Sequence, residues 1–147
     1  MASNIDTVPT LEYDFSLWYC EMDEEVALTI SRMLHQKGYK GFVERQDQVM
    51  GGLQITEVTD VIQQSKSTIV LLSKSSLDSN WCWSVSKWNF QHYIEQGRKV
   101  IPVYVDIQKE QSPCFLRHLT GLGYGTKFFR KRLLDSLETR KKTVKPR

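Results

Sequence analysis

The stretch Ser67-Thr68-Ile69-Val70-Leu71-Leu72-Ser73 is a near-continuous apolar run with no alternation of polar residues. Such a run marks a β-strand covered on both faces, which places it at the centre of a sheet. Upstream, Tyr13 to Tyr19 forms a second apolar run that turns through Cys20 to Met22 into a helix. Asp23, Glu24 and Glu25 put negative charge at that helix's first turn, where it suits the dipole. Val26, Ile30, Met33 and Leu34 recur at helical spacing, and Gly38 supplies the stop. A short strand over Tyr39 to Glu44 follows, then the polar, glycine-bearing segment Arg45 to Gly52, which reads as an exposed loop. The next helix is expected to bury Ile55, Val58, Val61 and Ile62.

Downstream of the central run, the loop Lys74 to Asn80 leads to an aromatic helix from Trp81 to Gln96, carrying Trp81, Trp83, Trp88, Phe90 and Tyr93, and Gly97 ends it. Val100 to Val105 is a fourth strand, in which Pro102 requires a strand edge or an irregularity. Pro113 to Leu119 is weakly patterned, and Leu122 to Tyr124 is a short fifth strand. The last helix runs from Lys127 to about Arg140 with Phe128, Leu133, Leu134 and Leu137 expected to face inward. Strands alternating with helices five times imply parallel strands joined by right-handed crossovers, with helices on both faces. The expected fold is α/β and flavodoxin-like, a five-stranded parallel sheet of order 2-1-3-4-5.

The 147 residues, 40 % hydrophobic and 11 % aromatic, suffice for one core. Residues 1–11 read as an N-terminal extension, 12–140 as the domain and 141–147 as a basic tail. No run approaches the ~20 apolar residues needed to cross a bilayer, and Met1 to Glu12 lacks the order of a secretory signal, so the expected compartment is the cytoplasm. Cys20, Cys82 and Cys114 are odd in number, far apart and without metal-ligand spacing, as expected of reduced thiols. The net charge of +3 is unevenly distributed: from Lys127 onward nine Lys or Arg face only Asp135 and Glu138, a local +7 that leaves −4 for the rest. A body of one sign with a tail of the other can favour head-to-tail contact between copies, while the tail itself reads as solvated and partly disordered. The basic end is open to weak contact with anionic lipid. It lacks the interleaved aromatics that stack on nucleic-acid bases, and no nucleic-acid partner is expected.

Five motifs in order, over about Tyr13 to Leu137, resemble the Toll/interleukin-1 receptor (TIR) family. Tyr13-Asp14-Phe15-Ser16-Leu17-Trp18-Tyr19 is similar to the family's opening strand, and Glu44 to Gly52 to its exposed Arg-Asp-x-x-Pro-Gly loop. Leu71-Leu72-Ser73, with Trp81-Cys82 eight residues beyond Ser73, resembles its strand followed by a Trp-Cys helix start. Val100-Ile101-Pro102-Val103 and the pair Phe128-Phe129, in place of a closing Phe-Trp, complete the series. Within the family these features look most like cytosolic signalling adaptors of the myeloid-differentiation type. Two positions depart from the pattern: Gln46 stands before Asp47 where arginine is usual, and Met50 replaces the common proline, loosening the loop and adding an adaptable apolar contact.

The resemblance implies signalling by homotypic or heterotypic TIR–TIR assembly, with self, receptor or adaptor TIR domains as partners and a homo-oligomer or filament on activation. The alternative it implies is an NAD hydrolase, which would place a glutamate four residues after the helix-opening tryptophan. Here that residue is Val85. Valine has no carboxylate to stabilise an oxocarbenium-like transition state, so no catalytic residue and no cofactor is expected, NAD belonging to the alternative alone. Another acid, such as Glu44, remains open as a substitute. No phosphate-cradling glycine loop is present, the third strand ends without a phosphoacceptor aspartate, and His35, His92 and His118 join no nucleophile or metal constellation.

Recognition is expected to rest on the loop Asp47, Gln48, Val49, Met50, Gly51 and Gly52, where Val49 and Met50 are apolar anchors and the glycines permit positive φ. Trp83 or Trp88 is the second candidate, because Trp81, Trp83, Trp88 and Phe90 spread around their helix and cannot all face one core. Asp14, Trp81, Cys82, Phe128 and Phe129 are motif residues with a structural role, the two phenylalanines expected in the core.

Overall fold

A computed structural model describes residues 13–45, 63–77, 95, 97, 99–112, 116 and 119–137. The strands are β1 (Tyr13–Tyr19), β2 (Gly41–Arg45), β3 (Ser65–Leu72), β4 (Lys99–Tyr104) and β5 (Leu122–Gly123). The α-helices among the described residues are α1 (Glu24–Gln36), the single turn α2 (Lys74–Leu77) and α3 (Phe129–Leu137), with 3-10 turns at Glu21–Asp23 and Lys109–Gln111. All strand pairings are parallel and the order is β2-β1-β3-β4-β5, as expected.

The apolar run 67–72 is buried along its whole length because the period-2 alternation of a strand sends its residues into two separate cores. Ile69 and Leu71 join Phe15, Leu17, Tyr19, Ile101 and Val103 beneath α1 and α3. Val70 and Leu72 pack on the opposite face with Val100, Ile107, Leu116 and Leu119, where Leu77 of α2 also lies. Polar residues on that second face are paired with one another. The Trp18 indole Nε1–H donates to Ser16 Oγ at 3.0 Å, and Ser16 Oγ donates to Thr68 Oγ1 at 3.5 Å.

Helix α1 buries Ala27, Ile30, Met33 and Leu34 and ends in a Schellman motif. Gly38 has φ 91°, its N–H donates to His35 O, and the N–H of Tyr39 reaches back to Leu34 O at 3.1 Å. Three residues later β2 approaches β1 so closely that a Cβ on Gly41 would lie 2.0 Å from the Phe15 ring, which glycine alone tolerates. Asp14 fixes the other end of these strands: its carboxylate accepts the Lys40 N–H at 2.8 Å and pairs with Lys66 Nζ at 3.3 Å.

Pro102 sits opposite Val70 within β4. Tyr104 points its carbonyl at β5, where it accepts the Tyr124 N–H at 2.9 Å, so by the two-residue repeat Pro102 also turns its missing N–H to that side. The β4–β5 ladder starts only at Val103, and no strand bond is lost.

The last helix differs from expectation. Phe128 is 54 % exposed and lies ahead of α3, with Lys127 Nζ 5.6 Å from its ring centroid, whereas Phe129 is 5 % exposed and packs edge-on to Tyr124 at 5.3 Å. The inward stripe is therefore Phe129, Leu133 and Leu137 at i, i+4 and i+8, with Leu134 beside it. Phe128 stands five residues before Leu133 and so falls on another side.

Candidate functional site

Between β1 and β3 the chain's progress across the sheet reverses, and β1 and β3 feed α1 and α2 onto opposite faces. In open α/β sheets this point, at the carboxyl ends of the strands, is where a crevice forms and ligands bind. Here the crevice is closed by hydrogen bonds. Asp23 Oδ2 accepts the Ser73 hydroxyl at 2.6 Å and the Cys20 thiol at 3.3 Å. The Ser73 N–H donates to Ser76 Oγ at 2.7 Å, and the Ser76 N–H returns to Ser73 Oγ at 3.1 Å. One step further along the sheet, the Lys74 N–H donates to Asp106 Oδ1 at 2.9 Å.

This cluster was not singled out by the sequence, which assigned Asp23 to the dipole of α1. Asp23 is the N-cap of α1 but makes no side-chain cap bond; its carboxylate reaches across to β3 instead. The available signal was positional, since a polar residue directly after each of two apolar strands falls at the switch point once the strand order is known. Asp23 is 7 % and Ser73 1 % exposed. A serine hydroxyl so enclosed, donating to a carboxylate with no histidine beside it among the described residues, reads as a structural tie rather than a nucleophile. His35, the histidine among the described residues, is engaged with Ser31 Oγ through Nδ1 at 3.1 Å.

Beyond the cluster, a cleft of about 700 Å³ runs along the ends of β4 and β5, lined by Lys74, Tyr104, Asp106, Gln108, Lys109 and Thr126 among others. The Tyr104 hydroxyl is buried there without a hydrogen-bond partner among the described residues. Burial raises its pKa above the ordinary 10.0, the nearby Ser112 hydroxyl lowers it in part, and the charge of Glu110 raises it further. Among the described residues no group of His, Cys, Asp and Glu could hold a metal ion, and no helix is long and apolar enough to cross a membrane.

The strand that precedes the expected recognition loop ends at this same edge. β2 ends at Arg45, in register with Tyr19 at the end of β1. Asp47, Gln48, Val49, Met50, Gly51 and Gly52 themselves lie outside the described residues, as do Trp81, Cys82, Trp83, Val85 and Trp88. Asp14 accepts the Lys40 N–H and Phe129 is buried, and the Cys20 thiol is buried and in no disulfide.

The TIR domain family model matches residues 15–137, and the chain belongs to that family. No curated protein matches it in sequence. Among solved structures it is similar to the TIR domain of the Toll-related receptor TRR-2 from Hydra magnipapillata. The two are 26 % identical with a TM-score of 0.69, over 86 % of this chain and 98 % of that one. It is also similar to a metazoan TIR-STING receptor from C. gigas in complex with 2',3'-cGAMP, at 22 % identity and TM-score 0.72, covering 89 % of this chain but 41 % of the receptor. A third similar structure is that of the TIR domains of the activated Roq1 resistosome, which recognises the pathogen effector XopQ; identity is 19 %, TM-score 0.58, and coverage 90 % and 78 %.

Proposed function

We propose that this chain is a non-catalytic signalling module of the innate-immune type, which acts by assembling with other TIR domains, its own copies or those of a receptor or adaptor. The reading includes an adaptor role in the cytoplasm and a filament or other homo-oligomer on activation. The observation that carries it is that neither of two positions offers a usable acid. Val85 supplies no carboxylate where a hydrolase of the family would have glutamate, and Asp23, the carboxylate at the switch point, is buried and engaged by Ser73 and Cys20. Neither is available to polarise a ribose hydroxyl or stabilise developing positive charge. Similarity in fold to domains within a resistosome agrees with an assembling role. The competing reading is an NAD hydrolase, with Glu44 or another acid in the missing role.

The test is nicotinamide release from NAD by the purified chain at high concentration, with Val85→Glu as comparison and light scattering recorded in parallel. The expected result is no release from the parent while scattering rises with concentration. Replacing Met50 and Gly51 with Asp is expected to abolish that rise with the circular dichroism unchanged. Robust turnover by the parent moves the protein to the NAD-consuming class, and scattering indifferent to Met50 and Gly51 removes the loop from the contact.

A further inference from the structure

Three large apolar side chains are exposed among the described residues: Met22 at 77 %, Leu28 at 40 % and Phe128 at 54 %. Met22 and Leu28 belong to α1 with its entry turn, and Phe128 to the approach to α3. Met22 stands in the 3-10 turn leading into α1, surrounded in sequence by Glu21, Glu24 and Glu25, each of them exposed. It is an exposed apolar tip with three exposed glutamates within three positions of it. Between the second half of α1 and the entry to α3 lies a groove of about 520 Å³ with the inverse character. Ile30, Met33, Tyr124 and Phe129 contribute its apolar surface, while the exposed Arg32, Lys127 and Arg130 supply its charge, and among the described residues no carboxylate lines it. None of the three cations has an ion-pair partner among the described residues.

We infer that the Met22 tip of one copy seats in the Arg32–Lys127–Arg130 groove of the next. The inference rests on the assembly reading above and names a contact surface for it, separate from the loop 47–52. Two features favour a second copy as the occupant. The groove requires an apolar anchor flanked by negative charge, and the chain itself carries one. The same opposition holds for the whole sequence, −4 before Lys127 and +7 from it onward. Burying Met22 would also remove exposed apolar surface, and methionine adapts readily to an irregular groove. Tip and groove are different surfaces, so the contact is heterologous and a joined pair keeps one free tip and one free groove, which extends a chain head to tail rather than closing a dimer.

The test uses the whole chain in light scattering and sedimentation velocity over rising concentration, with circular dichroism to verify the fold. One variant reverses the tip, Glu24→Lys with Glu25→Lys; the other reverses the groove, Arg32→Glu with Arg130→Glu. Each alone sets like charges against each other, and each is expected to need on the order of ten-fold more protein to assemble. Mixed in equal amounts, the two are expected to recover parental assembly in alternation, because every reversed tip then meets a reversed groove and every native tip a native groove. Parental assembly by either variant alone, or no recovery on mixing, overturns the inference while leaving TIR assembly through the loop in place. A parent that stays monomeric at every concentration overturns both. Binding of the monomeric parent to phosphatidylserine vesicles, lost on reversing the groove, would assign the groove to anionic lipid and likewise overturn it.

Discussion

Phe128 and Phe129 are chemically identical neighbours that the fold treats oppositely, one 54 % and the other 5 % exposed. Helical phase decides between them. Phe129 shares a stripe with Leu133 and Leu137 and meets Tyr124 edge-on, whereas Phe128 precedes the helix and carries only the Lys127 ammonium over its ring. Truncating Phe129 to Ala removes a ring from the core and leaves a cavity, an expected loss of ~3–5 kcal/mol in urea-denaturation midpoint and slope. Phe128→Ala is expected to change stability by no more than ~0.5 kcal/mol, as for other exposed positions. Equal losses from the two would mean that Phe128 is covered in solution. Sequence could mark both as apolar but could not choose, because the choice depends on where the first helical turn begins.

At the scale of elements, the sheet is bound together at its carboxyl edge by short side-chain bonds that cross between strands. Asp23 ties the start of α1 to the β3–α2 turn, and Asp106 ties that turn to the end of β4. Asp23→Ala leaves the buried Ser73 hydroxyl and the Cys20 thiol without their acceptor, a cost of ~1–3 kcal/mol in global stability. Cys20, 5 % exposed in the folded chain, is also expected to react faster with a thiol reagent in that variant, because the α1 entry loses its anchor. Unchanged stability and thiol reactivity would show the bond to be dispensable. The strands around this tie were legible in the sequence to within one or two residues, since each is a short apolar run bounded by polar residues. The tie was not, because Asp23 and Ser73 are fifty positions apart and only the β1–β3 pairing brings them together.

For the molecule as a whole, Tyr104 links its local environment to the unfolding equilibrium. Its pKa is raised in the folded state, chiefly by burial, so the unfolded chain releases the phenolic proton first as pH rises. The unfolded state then binds fewer protons than the native one, and stability falls with pH from about 10.0 upward through the folded pKa. Tyr104→Phe is expected to lie close to the parent at neutral pH, because losing the interaction with the nearby Ser112 is offset by removing the burial cost of the hydroxyl, and to decline less steeply in alkali. Denaturation curves of both proteins across that range test it, and parallel declines would place the alkaline sensitivity elsewhere.

Periodicity determined the number of strands and their parallel arrangement, because a buried parallel sheet demands apolar runs and crossover helices that are local properties of the chain, and the order 2-1-3-4-5 expected of a flavodoxin-like fold is the one observed. The five ordered motifs pointed to the TIR family, which the family match over residues 15–137 bears out. What only the tertiary structure decided are relations between distant residues: the Asp23–Ser73 tie at the switch point, the orphaned Tyr104 hydroxyl, and the meeting of α1 with the α3 entry that joins Arg32 to Lys127 and Arg130 around one groove. Those relations depend on strand register and helix phase, which long-range packing sets and no local pattern encodes.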